Sequence, residues 1–115
     1  MRLTSEFWVS QLLRRAFKEG GFAAVIRKGA AEAGSIFVLV RHRGGACELY
    51  SPSAQTEYET GRPQDRLFAR VLTAASAEDM DARLAREARF DSDLWIVELE
   101  LGDRSAEDYL EITTP

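Results

Sequence analysis

The chain has 115 residues, 45% of them apolar and 30% charged, with a net charge of −4 at neutral pH. That length suits one domain, residues 1–115, able to bury a core of its own, and the composition excludes a wholly disordered chain. The acidic balance opposes non-specific nucleic-acid binding, and no apolar run approaches the roughly 18 residues that a membrane span needs.

Thr4 or Ser5 can cap a helix running to about Glu19, in which Val9, Leu12, Leu13, Ala16 and Phe17 form a buried stripe of helical period. Glu6 and Arg14-Arg15 interrupt the N-terminal apolar residues, so no secretory signal is expected, and a cytoplasmic location follows. Gly20-Gly21 stops the helix, and Phe22 to Arg27 reads as a first strand. Gly29 to Gly34 is a small-residue connection. Ile36 to Arg43 and Ala46 to Ser51 are the next strands, joined at Gly44-Gly45 by an expected two-residue hairpin turn. That turn sets Arg41 opposite Glu48, Val40 opposite Leu49 and His42 opposite Cys47.

Residues 52–65 are polar, hold Pro52, Gly61 and Pro63, and read as a flexible loop. Leu67 to Leu72 is a fourth strand. Ser76 caps a second helix with Ala77, Met80, Leu84 and Ala88 on its buried side. Asp91-Ser-Asp93 then turns the chain into Leu94–Leu101, a strand apolar throughout on one face and at its start on both, as suits an interior position. The tail, 103–115, is polar apart from Tyr109, Leu110 and Ile112, which can add a helical turn or an edge strand. The order α-β-β-β-β-α-β predicts an α+β fold: an antiparallel sheet of about five strands with two helices packed on one face.

Charge is unevenly spread, +3 over residues 1–58 and −7 over the rest. A basic first half can face an anion or simply neutralise the acidic half within the fold, and the second account is preferred. Cys47 is the only cysteine and His42 the only histidine, so no disulfide or metal site is expected, and a reducing compartment suits the chain. Set opposite each other, the two could form a thiolate dyad. Their strand face is apolar, however, which suits a buried, inert thiol better. No phosphate-binding glycine loop is present, and no cofactor is expected.

Three segments, Leu3-Thr-Ser-Glu-Phe-Trp through Arg15, Gly20 through Gly29 and on to Gly34, and Phe90-Asp-Ser-Asp-Leu-Trp through Glu100, resemble domain-of-unknown-function family 1491. The resemblance covers nearly the whole chain and matches poorly only at the 52–65 loop. It implies a stand-alone bacterial protein and carries no activity, cofactor or catalytic residue to transfer.

Three functional expectations follow. The first is a small cytoplasmic binding or accessory protein acting through protein contact, with a partner protein or as a homo-oligomer, and with Trp8, Phe37 and Tyr50 as interface candidates. The second is a small-molecule or anion-binding domain with Arg14, Arg15, Arg41 and Arg43 around a cleft between the first helix and the hairpin. The third is a thiol enzyme using Cys47 and His42.

Overall fold

The computed structural model describes residues 3–53 and 66–113. The loop expected over 52–65 therefore lies outside the described residues from position 54 onward. Two helices, α1 (Ser5–Lys18) and α2 (Ala77–Phe90), accompany six strands: β1 (Phe22–Arg27), β2 (Ile36–Arg41), β3 (Cys47–Pro52), β4 (Leu67–Ala75), β5 (Trp95–Glu100) and β6 (Glu111–Ile112). Both helix starts use the expected chemistry. The Thr4 hydroxyl accepts the Phe7 N–H at 3.2 Å and the Ser76 hydroxyl accepts the Asp79 N–H at 3.1 Å. The tail supplies a single 3-10 turn, Ala106–Asp108, and then β6.

The sheet order is β1-β5-β2-β3-β4-β6. It is a mixed sheet of six strands, which corrects the antiparallel sheet of about five expected from the sequence. β5 enters between β1 and β2, antiparallel to the first and parallel to the second, and β6 runs parallel to β4. The cause is α2: a helix between two strands returns the chain to its starting end, so β4 and β5 point the same way. The tryptophan-bearing strand β5 is interior, as its two apolar faces require.

A second correction concerns the layers. Val9, Leu12 and Ala16 of α1 pack with Ile36, Val38 and Val40, whereas Met80 and Leu84 of α2 pack with Phe37 and Leu39. Alternate residues of one strand point to opposite faces, so the helices cover opposite sides of the sheet. β2 is buried on both faces for this reason. The C-terminal residues Leu101, Ala106, Tyr109 and Leu110 complete the layer on the α1 side.

The hairpin is the third correction. Its glycines do take positive φ, +97° at Gly44 and +98° at Gly45. The loop, however, has three residues, closed by the His42 N–H donating to the Ala46 carbonyl at 2.8 Å, and Leu39 faces Leu49 while Arg41 faces Cys47. The whole ladder has slipped by one residue. Because β2 is apolar on both faces, its hydrophobic pattern specifies the pairing weakly.

Candidate functional site

The slip separates the residues that a thiol enzyme would need. Cys47 is fully buried beside Phe37, Leu39 and Met80 on the α2 side. His42 lies on the α1 side, where its Nε2 bonds the Glu48 carboxylate at 2.8 Å. Glu48 also accepts from the Tyr50 hydroxyl at 3.1 Å and from Arg70 at 3.2 Å. Burial pushes its carboxyl up, but the His42 and Tyr50 hydrogen bonds and the Arg70 charge outweigh that and hold it below its ordinary value. Burial, then the adjacent Glu48 charge, pushes the Tyr50 phenol up to about 12. Each polar group in this cluster has a partner, so it reads as a structural polar network at the edge of the core, with His42 and Arg70 half-exposed.

A pH dependence follows. Since the folded-state value of Glu48 is depressed, its stabilisation is present at neutral pH and is lost as pH falls through the carboxylate range. Glu48→Gln flattens the acid limb of the stability–pH curve below about pH 5. Urea melts across that range measure it, and an unchanged acid limb contradicts it.

The four arginines expected to share an anion site do not meet. Arg41 donates to Glu98 at 3.2 Å on the α2 side of the sheet. Arg43 is exposed at the hairpin tip and Arg14 is exposed on α1. Arg15 donates to the Asp108 carbonyl at 2.7 Å and lies over the Tyr109 ring. It borders a cleft of about 620 Å³ between α1 and the C-terminal segment, shared with Trp8, Arg66, Glu107, Asp108 and Glu111. The cleft is real, but its second wall is the tail rather than the hairpin. Among the described residues no cluster of three or more metal-ligating side chains occurs.

The interface candidates also change. Phe37 and Tyr50 are core residues, and Trp8 is half-buried with its ring centroid 5.4 Å from that of Phe68. The exposed large apolar side chains are Phe7, Phe17, Phe22, Val25, Ile26 and Phe90 among the described residues, and the first five lie on α1 and β1. α1 runs back over β1: Phe17 meets Phe22 edge-on at 5.9 Å, and Glu6 meets Lys28 at 3.6 Å near the far end. The result is a rim along one border of the sheet on which Phe17, Phe22, Val25 and Ile26 stand exposed, with Phe17 and Phe22 in contact, while Phe7 lies on the outward side of α1. Phe17 belongs to it at 53% exposure, although helical period alone assigns that residue to the core. The sequence signal for the rim was the uncharged run Phe22–Ile26 following a helix whose last turn holds Phe17.

The three segments that carry the family resemblance converge at one junction. The Ser5 hydroxyl donates to the Gly34 carbonyl at 2.6 Å, and the Ser5 and Glu6 N–H groups donate to Glu32 and Ala31. These are first-turn groups that the helix itself leaves unpaired. Across the same connection, Ala30 N–H donates to the Asp93 carbonyl at 2.9 Å and the Trp95 indole donates to the Ala30 carbonyl at 2.8 Å. Their shared role is to lock α1, the 29–34 connection and the start of β5 together.

Comparison with known proteins agrees with this geometry. No match occurs among curated proteins. The solution structure of protein Atu0922 from A. tumefaciens is 44% identical, covers 100% of this chain and 98% of that one, and superposes with a TM-score of 0.82. A crystal structure of a DUF1491 family protein from Caulobacter crescentus is 35% identical over 99% of this chain and 100% of that one, with a TM-score of 0.76. An NMR structure of a DUF1491 family protein from the same organism is 33% identical over 99% of each chain, with a TM-score of 0.78. The family model for protein of unknown function DUF1491 matches residues 3–110, and the chain belongs to that family.

Proposed function

We propose that this is a small cytoplasmic binding protein that acts through protein contact, and that the α1–β1 rim is where it meets its partner. One observation carries the reading: four large apolar side chains, Phe17, Phe22, Val25 and Ile26, stand exposed where the end of α1 meets β1. Contiguous apolar surface of this kind costs solubility and is characteristic of interaction sites. The separation of Cys47 from His42 removes the support for a thiol enzyme. A photo-crosslinking residue at position 17, compared with one at exposed Arg86 on α2, tests the proposal in cells. Discrete adducts from position 17 and none from 86 are expected. Equal or absent adducts at both positions contradict it.

A small-molecule reading moves from the hairpin to the cleft beside Arg15. Trp8 and Tyr109 offer ring surface there, but Glu107, Asp108 and Glu111 offset Arg15 and Arg66. A thermal-shift screen decides it: a phosphorylated or carboxylated metabolite that raises the melting temperature of the wild type but not of Arg15→Gln supports this site, and a flat response removes it.

A further inference from the structure

The two borders of the sheet are built differently. On one side the outermost strand, β6, has only two residues, a length that offers little to an incoming strand. On the other, β1 has six residues, is paired among the described residues to β5 alone, and carries no charged side chain from Phe22 to Ile26. Protein edges are normally protected by charge, proline or brevity. Phe22 to Ile26 use none of these; only Arg27 and the ladder shift just before it interrupt the far end of β1.

We infer that β1 is the pairing edge for a second copy of this chain, which adds its own β1 antiparallel across a two-fold axis. The inference rests on the reading of the rim as a contact surface and names its occupant. A two-fold axis relates identical patches, so the edge must complement itself when reversed. β1 does so in size. With Ala24 set against its copy, Ala23 meets Val25 and Phe22 meets Ile26, so the exposed side chains cover one another and only alanines sit at the axis.

It does so in charge as well. Glu19 precedes the start of β1, and exposed Glu100 lies across from Phe22 on β5. Arg27 closes the strand and exposed Lys28 follows it. Lys28 already meets Glu6 and Glu19 meets Arg104 within the chain, each at 3.6 Å, so charge adds a secondary preference. Reversal sets the Glu100 end of one copy beside the Arg27 end of the other, whereas a parallel arrangement sets like charges together. Ile26 has no register partner on β5, because the β1–β5 ladder shifts between Val25 and Arg27. This leaves its side chain, 55% exposed, available to the second copy.

Sedimentation velocity over a concentration series tests the pairing. A six-residue edge forms an interface below the standard size, so a weak dimer whose population rises across the concentration series is expected. Ile26→Lys weakens the dimer more than about tenfold, since reversal sets two new charges against the apolar residues they must cover. Lys28→Glu weakens it less, and the loss shrinks at high salt. Circular dichroism melts of both variants, expected to match the wild type, separate loss of pairing from loss of fold. If Ile26→Lys unfolds, Ile26→Ser replaces it, with the same weakening expected. A wild type that stays monomeric up to about 1 mM overturns the inference. So does a dimer indifferent to a folded substitution at Ile26. A monomeric wild type whose position 17 still crosslinks to another protein in cells overturns the self-pairing alone and leaves the rim as a contact surface.

Discussion

Gly29→Ala destabilises the protein by about 3 kcal/mol or more, lowering its melting temperature by roughly 10 °C or more. A Cβ at position 29 would stand 2.2 Å from the Asp93 carbonyl oxygen and 2.6 Å from the Leu94 carbonyl. Both obstacles are backbone, and the Asp93 oxygen is itself held by the Ala30 N–H. Neither can move without opening the junction between α1, the 29–34 connection and β5. Gly34→Ala meets the same oxygen at 2.3 Å, so the double variant costs less than the sum of the two. Gly44→Ala is the contrast. Its Cβ would enter open space, and only the positive φ opposes it, at about 1 kcal/mol. Urea melts rank the variants, and a Gly29→Ala protein as stable as Gly44→Ala contradicts the junction as described.

Trp95→Ala is the second large loss, about 3–5 kcal/mol, because it empties a buried site in the α1-side core. Trp95 is 2% exposed and spends its one polar atom on the Ala30 carbonyl. Trp95→Phe separates the two contributions. It keeps most of the packing and removes the indole donor from a carbonyl that still accepts the Gly34 N–H at 3.3 Å, at about 1 kcal/mol. Denaturant titration followed by circular dichroism measures both. A Trp95→Ala variant losing less than Trp95→Phe contradicts the packing account.

The elements were legible in the sequence because their signals are local. The Thr4 and Ser76 caps, the stripe Val9-Leu12-Ala16, the first strand and the strand holding Trp95 all rest on residues within a few positions of one another. What was illegible depends on partners far along the chain. The parallel arrangement of β2 and β5 joins residues about sixty positions apart, and nothing in either strand's pattern states direction. The helices lie on opposite faces because β2 is apolar on both, and that same property let the hairpin register slip. Once it slipped, Arg41 found Glu98 rather than Glu48, and the Cys47–His42 pair divided across the sheet. The arginine site failed for a related reason: Arg15 and Arg41 face opposite layers. Phe17 and Ile26 show the remaining gap, since periodicity marks a residue as apolar but does not say whether the fold has surface left to cover it.

Amide hydrogen exchange at β1 tests the pairing of this edge with its own copy most directly. Comparing dilute with concentrated protein, we expect slowed exchange confined to residues 22–26 and the neighbouring flank of α1, with hairpin amides 43–46 unaffected. Exchange at β1 that is identical at both concentrations, in dilute and concentrated samples of confirmed native fold, contradicts it.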